Sequence, residues 1–230
     1  MIHTSGSVKE NLEKTEARIA SAAAKSGRSR KDITLVAVTK GASIPQILEA
    51  KALGLEIFGE NKVQEAGPKI TEIGAGSQWH MIGHLQSNKV PEAVSLFSMI
   101  QSVDTARLAE KINTEAQKQN KVMPILLEIN ASGEEQKYGF APEEIYTAIE
   151  EISVLEHLEV LGVMGMAPNS EDPAARREAF KKLRSIFSVC KSIKKENIKM
   201  KHLSMGMSDD FEVAIEEGAN MVRLGRVLFK

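Results

Sequence analysis

Lys40 has the widest chemistry open to it of any residue in this chain. It stands just after Ile33-Thr-Leu-Val-Ala-Val38, a run that is apolar or β-branched almost throughout. Such a run predicts a short strand covered on both faces. A lysine at its end costs desolvation energy unless the amine has a use. A buried or half-buried amine loses basicity and can add to an aldehyde, forming a Schiff base. The plainer use is to end the strand and reach water, as most lysines do.

Two further stretches suit phosphate. Ser204-Met-Gly-Met-Ser-Asp-Asp210 is short, contains Gly206 and runs into an expected helix start. Unpaired N–H groups and the positive dipole end there favour an anion. Leu224-Gly225-Arg226 lets backbone approach a ligand closely. The same residues also suit a helix cap at Ser208 and Asp209 and a simple turn at Gly225. An amine and a phosphate cradle in one site point to pyridoxal phosphate, or to a sugar-phosphate aldolase working through Lys40. Arg223 stands where it can meet a pyridine nitrogen from beside the phosphate. Its ordinary use would be a rim ion pair with Glu60 or Asp209.

These residues need a scaffold that brings them together. A helix is expected over about 8–26, stopped by Gly27. Strands are then expected at 33–38, 55–58, 79–82, 98–103, 123–129, 158–164, 198–203 and 220–224, with a helical segment after each but the last. The helix after the second strand is expected to break at Gly67-Pro68, and Asp104 to cap the helix after the fourth. Eight β-then-α units in a chain of this length predict an α/β fold, a closed (β/α)8 TIM-type barrel with an extra N-terminal helix. An open doubly wound sheet is disfavoured, because no Gly-x-Gly-x-x-Gly follows the first strand. Residues 1–230 read as one domain. Active sites of such barrels lie at the strands' C-terminal ends. There stand Lys40, Glu60 with Asn61, Gly83 with His84, Ser102, Asn130, Met164, Ser204 and Arg223 with Gly225.

Composition narrows the classes. The 230 residues carry 30 Lys and Arg against 31 Asp and Glu, a balance that gives no support to nucleic-acid binding. No run of about 18 apolar residues suggests a membrane span, and no apolar signal core opens the chain. Cys190 is the one cysteine, which excludes an internal disulfide and fits a reducing cytoplasmic setting. The histidines His3, His80, His84, His157 and His202 lack metal-ligand spacing, so no metal is expected.

The chain resembles the pyridoxal-phosphate homeostasis protein family, single-domain relatives of the alanine racemase barrel. The resemblance rests on Val38-Thr39-Lys40, Phe58-Gly-Glu-Asn-Lys-Val-Gln-Glu65, Trp79-His-Met-Ile-Gly-His-Leu-Gln-Ser-Asn-Lys89, Lys137-Tyr-Gly139, Leu203-Ser-Met-Gly-Met-Ser-Asp-Asp210 and Val222-Arg-Leu-Gly225. It covers essentially the whole chain, with Gly41-Ala-Ser43 as a departure just after the lysine. It implies that Lys40 carries pyridoxal 5'-phosphate as an internal aldimine and that Asn61 lies beside the ring. It implies that Ser204, Gly225 and the backbone of Arg226 hold the phosphate, and that Arg223 faces the ring nitrogen. Met164, at the end of the sixth strand, completes the expected cofactor-binding set.

Two jobs compete: a carrier that masks the aldehyde and takes part in vitamin B6 and amino-acid homeostasis, and an amino-acid racemase. A two-base racemase needs acid and base on both faces of the α-carbon. The racemases draw the second from another domain, and only Tyr138 and Tyr146 are on offer here. A cation against the pyridine nitrogen also weakens the ring as an electron sink. The expectation is a monomeric carrier without robust catalysis, with apo-forms of pyridoxal-phosphate enzymes as recipients and neither nucleic acid nor membrane as partner.

Overall fold

The computed structural model describes residues 7–131, 138–168, 170 and 172–230. The expected 8–26 helix is α1 (Val8–Lys25). Ser7 accepts the N–H of Glu10 as its cap at 3.2 Å, and Val8, Leu12, Ile19, Ala22 and Ala23 form the buried stripe. Gly27, at φ +70°, ends it in a conformation that side chains rarely adopt.

The strands are β1 (Thr34–Val38), β2 (Ile57–Glu60), β3 (Gln78–Met81), β4 (Met99–Val103), β5 (Met123–Ile129), β6 (Leu158–Gly165), β7 (Ile198–Ser204) and β8 (Met221–Leu224). Each lies beside the next, all parallel, and β8 pairs with β1 to close the barrel. The outer helices are α2 (Ile44–Ala52), α3 (Val63–Ile73), α4 (Val90–Leu96), α5 (Ala106–Lys118), α6 (Ile145–Ile152), α7 (Pro173–Cys190), α8 (Phe211–Glu216) and α9 (Arg226–Phe229). No helix among the described residues is long and apolar enough to cross a membrane.

Some local expectations change. α3 runs unbroken through Pro68, because the proline removes one hydrogen bond while Val63, Ala66 and Ile73 keep the helix docked. The cap of α5 is Thr105, whose Oγ1 accepts the Leu108 N–H at 3.2 Å. Asp104 is thereby freed for another partner. A short terminal helix, α9, follows β8 where the chain was expected simply to end.

The apolar core has two parts. The larger lies between strands and helices and includes Phe58, Phe180 and Phe211, each fully buried. Fully burying one such ring contributes roughly 1.5–3 kcal/mol. The smaller fills the barrel itself with Val36, Met99, Leu126, Leu161, Met164 and Met221. Outside, α1 packs on α2, α8 and α9. Arg18 forks onto Glu212 at 2.7 and 3.1 Å and covers the Phe211 ring. Asn11 donates to the carbonyls of Leu228 and Lys230.

Candidate cofactor site

Register decides what meets at the mouth of the barrel. Val36 pairs with Arg223 and Ala37 with Leu224. Gly225 then passes so close to β1 that a Cβ on it would lie 3.0 Å from the Val38 carbonyl oxygen. The end of β8 is in this way laid beside the turn that carries Lys40.

That turn is held from below. Glu60, wholly buried, accepts from Thr39 Oγ1 at 2.5 Å and from Lys69 Nζ at 2.6 Å. Lys69 also donates to the Thr39 carbonyl at 2.8 Å. The residue before Lys40 is fixed by side chain and backbone together. Among the described residues Glu60 Oε2 has no partner. Lys40 itself is exposed. The expected half-buried amine is instead an accessible one, because β1 ends at Val38 and the turn lifts Lys40 clear of the sheet.

Lys40, Asn61, Met166, Ser208, Arg223, Gly225 and Arg226 line one cavity of about 480 Å3. Gly206, at φ +96°, shapes the loop behind it. A Cβ there would meet Ala214 Cβ at 2.6 Å and Phe211 Cα at 2.9 Å. Asp210 folds back to accept the Met207 N–H at 2.6 Å. Burial pushes its carboxyl above the usual range, against the pull of that hydrogen bond and of Arg176 and Arg223. Ser208 Oγ receives only a long contact from the Val227 N–H, at 3.4 Å. Among the described residues its own proton has no acceptor. The side chain of Arg226 turns away to pair with Asp209, which leaves its backbone toward the cavity as the expected contact.

Ser204 and Met164 do not line this cavity. Ser204 is wholly buried in a polar chain that crosses the barrel. Arg223 Nη1 donates to Ser204 Oγ at 2.8 Å and Nη2 to the Gly165 carbonyl at 3.0 Å. Since an arginine can only donate, the Ser204 proton goes to Gln101 Oε1, at 2.7 Å. The Gln101 amide then donates to His80 Nδ1 at 2.9 Å and touches Met221 Sδ. His80 is pushed down to about 4 by burial, with His202 adding to the effect, and is neutral at pH 7. Burial lowers Arg223 to about 10, against the attraction of Glu128 and Asp210, so it stays cationic at neutral pH. Neither Glu60 nor Asp209 pairs with Arg223; each has its own cation. Met164 belongs to the packed interior and Met166, two residues on, reaches the cavity instead.

Three groups escaped the sequence reading. Gln101 and Glu128 are buried polar residues inside otherwise apolar strands, and that mismatch was their available signal. Glu128 is raised to about 7, first by burial and then by Asp104, with Arg223 opposing. Lys69 gives no sign at all, being one lysine among many on a helix. Asp104 holds His84 Nδ1 at 2.9 Å, and Tyr138 stacks on the His84 ring at 3.7 Å. Lys137 of the expected Lys137-Tyr-Gly139 motif lies outside the described residues. No group of three or more histidine, cysteine, aspartate and glutamate side chains suited to a metal occurs among the described residues.

The donor set fits pyridoxal phosphate. It offers a primary amine for an aldehyde, a hydroxyl and backbone N–H groups for phosphate, and a fixed cation in the floor. Residues 11–230 match the family described as alanine racemase, N-terminal domain. The chain is 39% identical over 221 residues to the pyridoxal phosphate homeostasis protein of Aquifex aeolicus, covering 96% of each. It is 37% identical to that of Pseudomonas aeruginosa, over 96% of this chain and 94% of the relative. PipY of Synechococcus elongatus, solved with pyridoxal phosphate bound, superposes with a TM-score of 0.84 at 30% identity, over 97% of this chain and all of PipY. An alanine racemase of Clostridium difficile shares the fold, with a TM-score of 0.72 at 18% identity, and this chain spans 55% of it. The chain therefore belongs to the pyridoxal phosphate homeostasis protein family, within the wider family of alanine racemase N-terminal barrels.

Proposed function

We propose that this protein binds pyridoxal 5'-phosphate at the mouth of the barrel and serves cofactor homeostasis as a carrier. The observation that carries this is the sharing of one cavity by Lys40 and the loops after β7 and β8, in a family where PipY has been solved with that cofactor. Lys40 is the covalent anchor through Nζ. Ser208, Gly225 and the backbone of Arg226 face the phosphate, Asn61 lies beside the ring, and Arg223 is the cation beneath it. Bound there, the cofactor supplies an aldehyde that condenses reversibly with primary amines.

The role of a carrier rather than a racemase rests on Arg223. Still cationic at pH 7 and locked onto Ser204 and Gly165, it opposes a proton on a ring nitrogen lodged against it. The chain works as a monomer in the cytoplasm and passes its cofactor to apo-forms of pyridoxal-phosphate enzymes. The test is the absorbance spectrum with borohydride trapping. The wild type shows a visible band and, after reduction, a stable adduct on Lys40; Lys40→Ala loses both. An adduct on Lys62 or Lys89 would sink the assignment. Turnover of alanine in the usual enzyme range of about 1–1000 per second would sink the carrier role.

A further inference from the structure

Sulfur is distributed unevenly in this fold. The chain carries ten methionines. Met1 lies outside the described residues, and Met81, Met99, Met123, Met164, Met200, Met205 and Met221 are buried. Of the described methionines only Met166 and Met207 are exposed, at 37% and 40%. Both line the cavity that Lys40 shares with the β7 and β8 loops, beside Ser208 and Gly225. The two thioethers open to solvent are therefore the two that a ligand in that cavity would meet.

Their backbones are tied into the site. The Met207 N–H is donated to Asp210 at 2.6 Å, and the Met207 carbonyl accepts the N–H groups of Asp210 and Phe211 at 3.1 and 2.9 Å. Met166 follows Gly165, whose carbonyl accepts from Arg223 Nη2 at 3.0 Å. A change confined to either side chain thus alters the cavity wall and leaves these backbone bonds in place. The remaining oxidisable sulfur is shielded. Cys190 is wholly buried, and burial pushes its thiol up to about 11, so little thiolate forms at pH 7.

A peroxide is the class of reagent to which this wall is open. The thioether lone pair attacks one peroxide oxygen, and an S–O bond forms as the O–O bond breaks. The proton on the transferred oxygen passes to the departing hydroxide, which leaves as water. Sulfur is oxidised and the peroxide reduced, and a flexible apolar side chain becomes a polar one. The sulfoxide oxygen accepts hydrogen bonds and has no proton to give. Beside Ser208 and Gly225 it competes with a phosphate for the same donors, and its negative dipole end opposes the anion. A dithiol-dependent reductase reverses the step, releasing the oxygen as water while its thiols become a disulfide. We infer that Met166 and Met207 are sites of reversible oxidation by peroxide, and that their sulfoxides loosen the cavity's hold on pyridoxal phosphate. The inference rests on the cofactor reading and adds to it a condition under which cofactor is released.

The test uses the full chain stripped of cofactor, treated with hydrogen peroxide, cleared of peroxide with catalase and titrated with pyridoxal phosphate by fluorescence. Peptide mass mapping should find oxygen on Met166 and Met207 ahead of every buried methionine, and more slowly on both when the cofactor is bound. Affinity should fall about tenfold or more with the urea midpoint unmoved, and return after methionine sulfoxide reductase and dithiothreitol. Met166→Leu combined with Met207→Leu removes both sulfurs. Compared with itself before and after peroxide, this variant should show no fall. Oxygen spread evenly over the buried methionines or placed on Cys190 would overturn the inference. So would unchanged affinity with both sulfoxides present, a fall in affinity that tracks a fallen urea midpoint, no recovery with the reductase, or an equal fall in the double variant. A chain that binds no pyridoxal phosphate before any peroxide is added would refute the cofactor reading itself, and this inference with it.

Discussion

Ser204→Ala separates a phosphate ligand from a structural hydroxyl. The hydroxyl is wholly buried, donates to Gln101 Oε1 and accepts from Arg223 Nη1. Alanine leaves a carbonyl oxygen and a guanidinium N–H without partners where water does not reach. A buried unsatisfied group costs about 1–3 kcal/mol, more when charged. Arg223 keeps its bond to the Gly165 carbonyl, which limits the damage. The expected loss is about 2–3 kcal/mol, in protein that has never seen cofactor. In a chain of this size each kcal/mol moves Tm by about 2–4 °C, so the melting point falls by about 4–12 °C. Urea unfolding of stripped wild type and variant measures it directly. An unchanged midpoint without cofactor, with a difference appearing only on loading, would refute the reasoning and return the hydroxyl to the phosphate.

Ser208→Ala is the converse: it should lower pyridoxal phosphate affinity about tenfold or more, as for a hydrogen bond to a charged group, while moving the stripped protein's stability by no more than about 0.5 kcal/mol; fluorescence titration and urea melts check the two halves. Lys69→Met should cost about 3–5 kcal/mol because it orphans the wholly buried Glu60, and adding Glu60→Gln should recover most of that in thermal melts. The carboxyl of Glu128 sits near 7 in the folded chain, above the unfolded value of about 4.3, so the folded state binds the extra proton. Stability contributed by this group is therefore present at low pH and lost as pH rises from about 4.3 toward 7. Glu128→Gln should remove that loss and be the more stable protein above pH 7, by on the order of 1–3 kcal/mol; equal pH profiles in urea melts would contradict it.

The barrel was legible because its signals are repetitive. Short apolar runs recur between helical stretches, and every expected strand is present with no end displaced by more than two residues. The location of the site followed, since a closed parallel barrel puts strand ends on one rim. Spacing does not reveal which face of a strand a residue takes near its end. Ser204 reads as a rim residue because a Gly-bearing loop follows it. One pleat position turns it inward, where Arg223 and Gln101 claim its hydroxyl. Met164 and Met166 differ in depth instead, Met164 lying inside β6 and Met166 past its end, where it reaches the cavity. Asp104 read as a cap because it precedes a helix, yet Thr105 can do that work, and a carboxylate released from capping finds His84 across the rim. Contacts of that kind depend on strands far apart in sequence and leave no local trace.

The pairing of β8 with β1 has a kinetic side. Lys40 comes from the first strand's end, and Arg223, Gly225 and Arg226 come from the last. A ligand that needs both therefore senses one of the most non-local contacts in the chain, formed only after a long loop has closed. A growing or partly opened polypeptide has the amine without the phosphate grip, and holds the aldehyde no better than any surface lysine would. Binding then adds its free energy to ring closure alone, by mass action on the closed form. In this protein cofactor retention doubles as a report on whether the last strand has found the first.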